Sequence, residues 1–398
     1  MILGLKFSNY YSFYEPVEIS FEVGKKPSAS FYDMTLDDER RVNKVIAVVG
    51  ANGSGKTHFL RPLAFLSWFV GSSFLKAKPD SQIPFKAHAL HEEEPSEIEL
   101  RFNLLNGVEY KYHVILLKND VVLEALYKKT SQQYSYIFVR ERHDDGTYSV
   151  KKKDKDFPFK KSEAEKIKAN ASLLSAASVY GTREIYPVVN FFNYITSNIT
   201  VFGRAYYSQS HLKTAAKFLY FNQELKAQVN SIMLELDLGL AEIDIVEYQQ
   251  NLSEENTESE YIPWGIHRTT NDEFKLPFYD ESSGTQSAFV LLCRLLSALS
   301  KGSTAVIDEL DNDLHPHMLP KILDLFKFEH TNPHQAQLIF SCHTPEILDI
   351  LQKHQVYLVE KKDLHSEAWR LDEVVGIRAD DNLYAKYQAG ALGAIPHL

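Results

Sequence analysis

Cysteine is scarce in this sequence, which has only two, Cys293 and Cys342, among 398 residues. They lie far apart in apolar surroundings, so neither a disulfide framework nor a thiolate metal site is indicated. The chain also lacks a run of about 18 apolar residues, the minimum for a membrane-spanning helix. The opening stretch, MILGLKFSNYYSF, lacks the charged region, apolar segment and cleavage site of a signal peptide. We therefore expect a cytoplasmic protein with no membrane partner.

An excess of positive charge is lacking too. Lysine and arginine number 43 against 53 aspartates and glutamates, which gives a formal net charge of −10. A surface that is basic all over is excluded, so nucleic-acid binding would need a local patch. With 44% hydrophobic and 24% charged residues, the chain can bury a large core, and its length allows two or three lobes.

A complete phosphate-binding motif is present. Residues 50–57, Gly-Ala-Asn-Gly-Ser-Gly-Lys-Thr, match G-x-x-x-x-G-K-[ST], between a β-branched run at 44–49 and a stretch that can open a helix. A glycine turn between two buried elements is the alternative interpretation, but both glycines, the lysine and the hydroxyl are all in place. In such a loop the lysine approaches the β- and γ-phosphates, backbone N–H groups surround the phosphate, and the hydroxyl ligates Mg²⁺. The motif predicts that ATP is bound by Asn52, Gly53, Ser54, Gly55, Lys56 and Thr57.

A second motif follows much later in the chain. The apolar run at residues 304–307 ends on two adjacent carboxylates, Asp308 and Glu309. In a P-loop enzyme the first acid holds Mg²⁺ and the second polarises the attacking water. Taken alone, the pattern is more typical of a buried strand that ends on an acid because the chain then enters solvent. The phosphate motif favours the functional interpretation.

Two further stretches flank the acidic strand. Residues 282–286, Ser-Ser-Gly-Thr-Gln, precede an apolar helix that Gly302 is expected to end, and a hydroxyl at a helix N-terminus favours an anion. An ordinary N-cap is the alternative. His343 follows the apolar run 337–341, at the strand end where ligands bind in open α/β sheets, although a purely structural histidine has the same pattern.

In this order the motifs resemble those of ATP-binding-cassette (ABC) ATPases: GANGSGKT as Walker A, SSGTQ as the signature, AVIDE as Walker B and His343 as the switch histidine. The sequence is most similar to the soluble branch with RecF, SMC heads, OLD-like proteins and the RloA/AbiL-type AAA-family ATPases of bacterial defence. Residues 5–13, 307–316 and 387–396 carry that similarity. No acidic TOPRIM cluster follows, so we expect the nuclease of OLD proteins to be missing.

The resemblance implies an ATP hydrolase that converts ATP and water to ADP and phosphate, slowly or with stimulation by a partner. In the family, ATP lies between Walker A of one chain and the signature of another. This chain has one of each, so we expect a homodimer, with higher oligomers as an extension. The implied roles are catalysis by Glu309 and His343, Mg²⁺ binding by Thr57 and Asp308, and phosphate contacts in trans by Ser283 and Gly284.

The sequence departs from the family pattern in places. The signature has Ser282 where transporters have leucine and Thr285 where they have a second glycine, so its phosphate contacts should rest on Ser283, Gly284 and the helix amides. No convincing Q-loop is found. Gln82 is one candidate for it, and Tyr10 and Tyr11 are candidates for contacts with adenine.

The expected fold is α/β: an ABC-type P-loop head with an antiparallel β addition and an inserted, mainly helical arm. Residues 1–130 should form the Walker A lobe, 131–265 the insertion, and 266–398 the lobe with the signature, Walker B and switch histidine. We expect residues 1–23 to form strands beside the 44–49 strand in one sheet, three antiparallel strands between 97 and 127, and one helix over 210–236.

These features favour an ATP-driven dimeric switch or scaffold for a separately encoded effector, a nuclease or toxin, in antiviral defence. The first alternative is an ATPase of DNA repair or chromosome maintenance, which would hold DNA through the lysines of residues 151–161. Asp154 and Asp156 interrupt those lysines. The second alternative, a transporter subunit, is disfavoured by the opening strands, the long insertion and the unusual signature.

Overall fold

A computed structural model gives the positions of most of the chain. It describes residues 1–104, 106–205, 208–236, 239–253, 256–312, 317–378 and 381–395, and gives only the backbone of 250–253 and 256–258. The last four residues of the 307–316 run and Pro396 of the closing motif lie outside the described residues.

The secondary structure alternates between strands and helices along the chain. The strands are β1 (Ile2–Ser8), β2 (Val17–Ser20), β3 (Glu22–Val23), β4 (Asp33–Thr35), β5 (Arg41–Asn43), β6 (Val45–Val49), β7 (Ser96–Asn103), β8 (Glu109–Leu116), β9 (Val121–Lys129), β10 (Tyr134–Arg142), β11 (Tyr148–Lys152), β12 (Thr196–Ser197), β13 (Ile199–Thr200), β14 (Gly203–Arg204), β15 (Glu242–Ser253), β16 (Asn256–Arg268), β17 (Glu273–Pro277), β18 (Thr304–Ile307), β19 (Gln337–Cys342), β20 (Val356–Lys362) and β21 (His365–Arg370). The α-helices are α1 (Lys56–Lys76), α2 (Lys161–Ala164), α3 (Leu173–Val179), α4 (Tyr186–Tyr194), α5 (Gln209–Tyr220), α6 (Gln223–Glu235), α7 (Ser283–Lys301), α8 (Met318–Lys327) and α9 (Leu383–Gln388).

The six-stranded sheet carries the sequence motifs. Its order is β12-β18-β19-β6-β20-β21, and all neighbours are parallel except β20 and β21. Every residue of β6, β18 and β19 is buried, as expected for parallel strands that are covered on both faces. The phosphate loop, the acidic pair and His343 follow these three strands, so they meet at the carboxyl edge of the sheet. The parallel strand predicted at 44–49 is confirmed.

Strand β6 divides two hydrophobic cores. Ile46 and Val48 belong to the core that contains α1 and the antiparallel sheet, whereas Val45, Ala47 and Val49 belong to the core built with α7 and α8. This division follows from the alternation of side chains along a strand. The phosphate loop therefore begins directly after a strand that packs against both cores.

The prediction that the first 23 residues continue the sheet of β6 is wrong. Strands β1 and β2 belong to a separate seven-stranded sheet of order β11-β10-β9-β8-β7-β1-β2, in which β1 pairs antiparallel with β2 and β7. The antiparallel addition therefore has seven strands and not three. The alternating burial of β7 reveals one packed face, whereas the first four residues of β1 are all buried, and neither pattern says which sheet a strand joins.

The segment 131–265, expected to be mainly helical, is also rich in strand. Strands β10 and β11 extend the antiparallel sheet, β12 forms the edge of the parallel sheet, and β15 and β16 form a long hairpin that β17 extends. The helix expected over 210–236 is two helices, α5 and α6, because the chain leaves helical geometry at Asn222, with φ −131° and ψ 77°. Its apolar positions Leu212, Leu219 and Val229 are buried in the core with α7, as the helical spacing indicates.

A buried carboxylate joins the antiparallel sheet to helix α3. Glu124 is fully buried and accepts hydrogen bonds from the Tyr112 hydroxyl (2.8 Å), the Ser172 hydroxyl (2.7 Å) and the Leu173 backbone N–H (2.6 Å). The guanidinium of Arg140, also fully buried, lies 3.8 Å from the Glu124 carboxylate. Because a buried charge is tolerated only when it is paired and hydrogen-bonded, this cluster fixes the register between sheet and helix.

We expect Glu124→Ala to lower the free energy of unfolding by about 3–5 kcal/mol, because it leaves the Arg140 charge buried and uncompensated. Urea denaturation followed by circular dichroism measures the change. Glu141→Ala on the neighbouring strand is the matched control, since the Glu141 side chain is 42% exposed and its removal should change stability by less than about 0.5 kcal/mol. Equal losses for the two variants would contradict the assignment of Glu124 as the link.

Candidate nucleotide-binding site

The loop between β6 and α1 requires glycine at two positions. Gly55 has a φ of 115°, and a Cβ added there would lie 2.5 Å from the Ser366 hydroxyl oxygen. A Cβ on Gly50 would collide with the Val359 carbonyl oxygen and lie 2.9 Å from the Ser54 hydroxyl oxygen. Glycine is required at Gly55 by the positive φ and the close approach of β21, and at Gly50 by the close approach of β20. The backbone can therefore curl into a phosphate-sized cradle at the start of α1.

Lys56 is the buried cation of this loop. Its ammonium donates hydrogen bonds to the carbonyl oxygens of Gly50 (2.8 Å) and Ala51 (3.1 Å), and it lies 3.4 Å from Nδ1 of His343. Burial lowers the pKa of Lys56, an effect that the nearby Asp308 carboxylate partly opposes. An anion in the loop would offset this desolvation, so the surroundings of Lys56 fit a phosphate.

The Asp308 carboxylate is held rigidly beside the loop. It accepts hydrogen bonds from the hydroxyls of Thr57 (2.8 Å) and Ser341 (2.5 Å). Asn198 fixes the backbone of Asp308 by donating to its carbonyl (2.8 Å) and accepting from its N–H (2.7 Å). A carboxylate next to a hydroxyl is the oxygen donor pair that Mg²⁺ uses together with phosphate oxygens. Among the residues that the structure describes, no group of three or more His, Cys, Asp or Glu side chains is placed to hold a metal ion by itself.

Glu309 points into the same site from a left-handed backbone conformation, with φ 50°. Its N–H donates to the Ser341 hydroxyl (2.7 Å), and its carboxylate forms an ion pair with Arg204. The other carboxylate oxygen lies 3.5 Å from Nε2 of His343. A positive φ is uncommon outside glycine, and such conformations concentrate at functional sites where the surroundings enforce them.

His343 is positioned by its backbone. Its N–H, the N–H of Thr344 and the Thr344 hydroxyl all donate to one carboxylate oxygen of Asp311, at 2.8, 2.8 and 2.6 Å. Partial burial, and after it the charge of Lys56, lower the pKa of His343. This shift favours the neutral imidazole, in which one ring nitrogen donates and the other accepts.

These groups surround one cavity of about 440 Å³. That volume lies within the usual range for small-molecule sites. The residues present, a glycine cradle with a buried lysine and an oxygen pair beside it, fit a nucleotide triphosphate with a divalent cation. The lining consists of Ser12, Asn52, Gly53, Gly55, Lys56, Thr57, His58, Asp308, Glu309, His343 and Lys361.

Other predicted residues lie elsewhere. Ser283 and Gly284 do not line this cavity and lie in the first turn of α7, where Ser282 is the N-cap and accepts a hydrogen bond from the Thr285 N–H (3.1 Å). The helix predicted after the signature and its end at Gly302 are confirmed. Gln82 is exposed on the segment between α1 and β7.

Of the two tyrosines considered for adenine, Tyr10 is unsuited. Its side chain is buried in the hydrophobic core, where its ring stacks on Phe85 with centroids 6.2 Å apart. Tyr11 stacks on His58, a residue of the cavity lining, at 4.9 Å, and Arg61 covers its ring at 4.1 Å. Contact between Tyr11 and a base stays a prediction.

Several residues of the site were missed by sequence reasoning. Ser341 lies shortly before His343 in the sequence and Asp311 shortly after Asp308, so their positions beside the motifs were a usable signal. Asn198 and Arg204 fall in the stretch assigned to the insertion and match no motif. They reach the site because β12 pairs with β18, which only the three-dimensional structure reveals.

Among the described residues, no helix is both long enough and apolar enough to cross a bilayer. The parallel sheet with Walker A, Walker B and His343 at its carboxyl edge, together with the adjoining antiparallel sheet, defines an ABC-type P-loop ATPase head. Residues 45–349 match the family described as "AAA domain, putative AbiEii toxin, Type IV TA system". The chain belongs to this family, and such ATPases bind a nucleotide with a divalent metal.

Solved structures with a similar arrangement include the Smc head domain from Pyrococcus furiosus, with an extended coiled coil and bound to the C-terminal domain of ScpA (TM-score 0.45, 11% identity, 94% of this chain and 97% of that chain). A second is the Smc head domain with a coiled coil and joint from Pyrococcus yayanosii (TM-score 0.46, 10% identity, 98% of this chain and 99% of that chain). A third is the recombination mediator protein RecF-ATPrS of the RecFOR pathway (TM-score 0.39, 11% identity, 92% of this chain and 98% of that chain). No curated protein matches the sequence significantly.

Proposed function

We propose that this chain hydrolyses ATP with Mg²⁺ in the cytoplasm and uses ATP-driven dimerisation as a switch for a protein partner. One observation carries the proposal. Lys56, Thr57, Asp308, Glu309 and His343 surround a single cavity, although Lys56 and His343 are 287 positions apart in the chain. Such convergence at the carboxyl edge of a parallel sheet is the arrangement of a ligand site in open α/β folds.

Each of these side chains has a distinct task. Lys56 and the loop amides bind the β- and γ-phosphates, and Thr57 and Asp308 would hold Mg²⁺, which when bound neutralises charge on the phosphate oxygens. The water oxygen attacks the γ-phosphorus while Glu309 accepts the water proton, and the bond to the β–γ bridging oxygen breaks. His343 donates a hydrogen bond to a γ-phosphate oxygen. The products are ADP and phosphate.

We propose that a second copy of this chain completes the site. Helix α7 is 19 residues long, and Ser282 and Ser283 are exposed at its N-terminus. Free N–H groups and the positive end of the helix dipole favour phosphate there. Since Ser283 and Gly284 do not line the cavity of their own chain, their phosphate contacts require the cavity of a partner.

We expect Ser283→Arg to leave ATP binding by the monomer intact and to block closure, because a cation and added bulk oppose both the dipole and the incoming phosphate. Mixed with Lys56→Ala, it should regain activity, since a heterodimer of the two variants keeps one intact composite site. A 1:1 mixture can reach at most about a quarter of the wild-type rate. Steady-state phosphate release measures it.

The matched control is Ser300→Arg, at the exposed opposite end of the same helix, which should hydrolyse ATP normally. Subunit exchange is verified independently by fluorescence energy transfer between labelled chains. If exchange is complete and the mixture stays inactive, the trans site is refuted, whereas the phosphate-loop assignment remains.

The partner is proposed to be a separately encoded effector, a nuclease or toxin, in antiviral defence. The description of the family, which names a toxin and a type IV toxin–antitoxin system, supports a two-component arrangement. The surface proposed for the effector is built by α5, α6 and the β15–β17 sheet, whose described residues do not line the cavity. Purification from the native host with ATP, with Lys56→Ala as control, should recover the effector only with the wild-type chain.

The placement of the lysines does not favour the DNA-repair alternative. Lys151, Lys160 and Lys161 are exposed, but each lies within 4 Å of a glutamate carboxylate, and Lys152 is only 10% exposed. Lys153 donates to the Ser135 hydroxyl (2.7 Å). These ion pairs reduce the positive potential that a DNA backbone requires. Salt-sensitive capture of duplex DNA without any co-purifying protein would reverse this ranking.

A further inference from the structure

The hairpin of β13 and β14 is anchored against the catalytic edge of the sheet. It directly follows β12, which pairs with the Walker B strand β18. Asn198, the residue between β12 and β13, forms hydrogen bonds with the backbone carbonyl and N–H of Asp308. Arg61 of α1 donates to the Val201 carbonyl at the turn (2.8 Å). The last residue of the hairpin, Arg204, is therefore delivered to the site by contacts with two of its elements.

The guanidinium of Arg204 forms an ion pair with the Glu309 carboxylate, and its side chain is only 17% exposed. The same carboxylate approaches His343 (3.5 Å), which in turn lies 3.4 Å from the Lys56 ammonium. Arg204 does not itself line the cavity, but it contacts the cavity wall through Glu309, a lining residue that lies next to His343. A guanidinium pairs with phosphate oxygens through two parallel hydrogen bonds, as it does with a carboxylate.

This ion pair conflicts with the task of Glu309. A carboxylate paired with a cation is a weaker proton acceptor, so Glu309 must be released before it can take a proton from water. A γ-phosphate is a doubly charged competitor for the same guanidinium, whereas ADP does not place a group at that position.

We propose that Arg204 is the residue that distinguishes ATP from ADP. The Glu309 carboxylate and the γ-phosphate compete for its guanidinium, and when ATP binds Arg204 turns to the γ-phosphate, which frees Glu309 for the attacking water. This inference rests on the proposed ATPase function. It assigns a specificity-determining role to a residue outside the motifs.

The test compares the affinities of ADP and of the non-hydrolysable β,γ-imido analogue of ATP, measured by calorimetry with Mg²⁺ on the full chain. Arg204→Ala should weaken binding of the analogue by about tenfold or more and change ADP binding less than about twofold, because the lost hydrogen bonds are charged. Arg204→Lys should fall between these values. Arg183→Ala, an exposed arginine in the same stretch of chain, is the matched control and should change neither affinity. Unchanged ADP binding also shows that the variants are folded.

A second arm tests the competition directly. Glu309→Gln removes the carboxylate that holds Arg204, so it should tighten binding of the analogue several-fold, and this gain should vanish in the Arg204→Ala background. A gain that persists without Arg204, or equal losses for ADP and the analogue, would overturn the inference and leave the ATP site in place. A wild-type chain that binds neither nucleotide would overturn the proposed function and the inference together.

Discussion

Replacement of Lys56 by alanine should abolish nucleotide binding. Lys56 is the buried cation at the start of α1, and its ammonium bonds two carbonyls of the loop, so the variant loses both the positive charge and the support of the cradle. ATP at about 100 times its dissociation constant adds about 2.7 kcal/mol to the stability of a protein that binds it. That thermal shift should be present in the wild-type chain and missing in Lys56→Ala.

Lys76→Ala is the matched control, since Lys76 is an exposed lysine in the last turn of the same helix. It should keep the full ATP-induced shift. Melting without nucleotide shows whether Lys56→Ala is folded. If a folded Lys56→Ala protein still shows the full shift, residues 50–57 are not the phosphate site.

Replacement of Glu309 by glutamine should slow ATP hydrolysis by about two orders of magnitude or more, because an amide cannot accept the proton of the attacking water. Binding should persist, since Lys56, Thr57 and Asp308 are unchanged. ATP-bound dimers should then accumulate, which size-exclusion chromatography with light scattering detects.

Glu329→Gln is the matched control, because Glu329 is exposed just after α8. This variant should hydrolyse ATP at the wild-type rate. Normal turnover by Glu309→Gln would mean that the water is activated by another group. In that case the ion pair between Glu309 and Arg204 would be structural.

The predictable part of this molecule is the part that local rules determine. A glycine-rich loop after a β-branched run requires a strand, a tight turn and a helix, and all three are found at residues 45–76. Likewise the serine N-cap and the glycine C-cap of α7 follow from short-range chemistry and are confirmed. Whether the residues of these motifs bind and hydrolyse ATP stays a prediction.

The unpredictable part depends on pairing over long distances. Gly4 pairs with Ser20 and lies beside Arg101, but nothing in the local sequence says that β1 joins β7 and not β6. For the same reason the sequence places Asn198 and Arg204 in the inserted arm expected over residues 131–265. Two residues of parallel pairing between β12 and β18 bring them to the site, and so short a strand has no detectable periodicity.

The sharing of β6 by both hydrophobic cores has a consequence for how the chain loses its structure. A protein with two cores joined by a linker can melt in two steps, but here each core supplies one face of the same five-residue strand. If the core with α1 unfolds, two side chains of β6 are exposed to water, and if the core with α7 unfolds, three are exposed. In either case one face of the strand loses its hydrophobic contacts. Unfolding of one core therefore promotes unfolding of the other. The strand that leads into the phosphate loop thus couples the unfolding of the two cores.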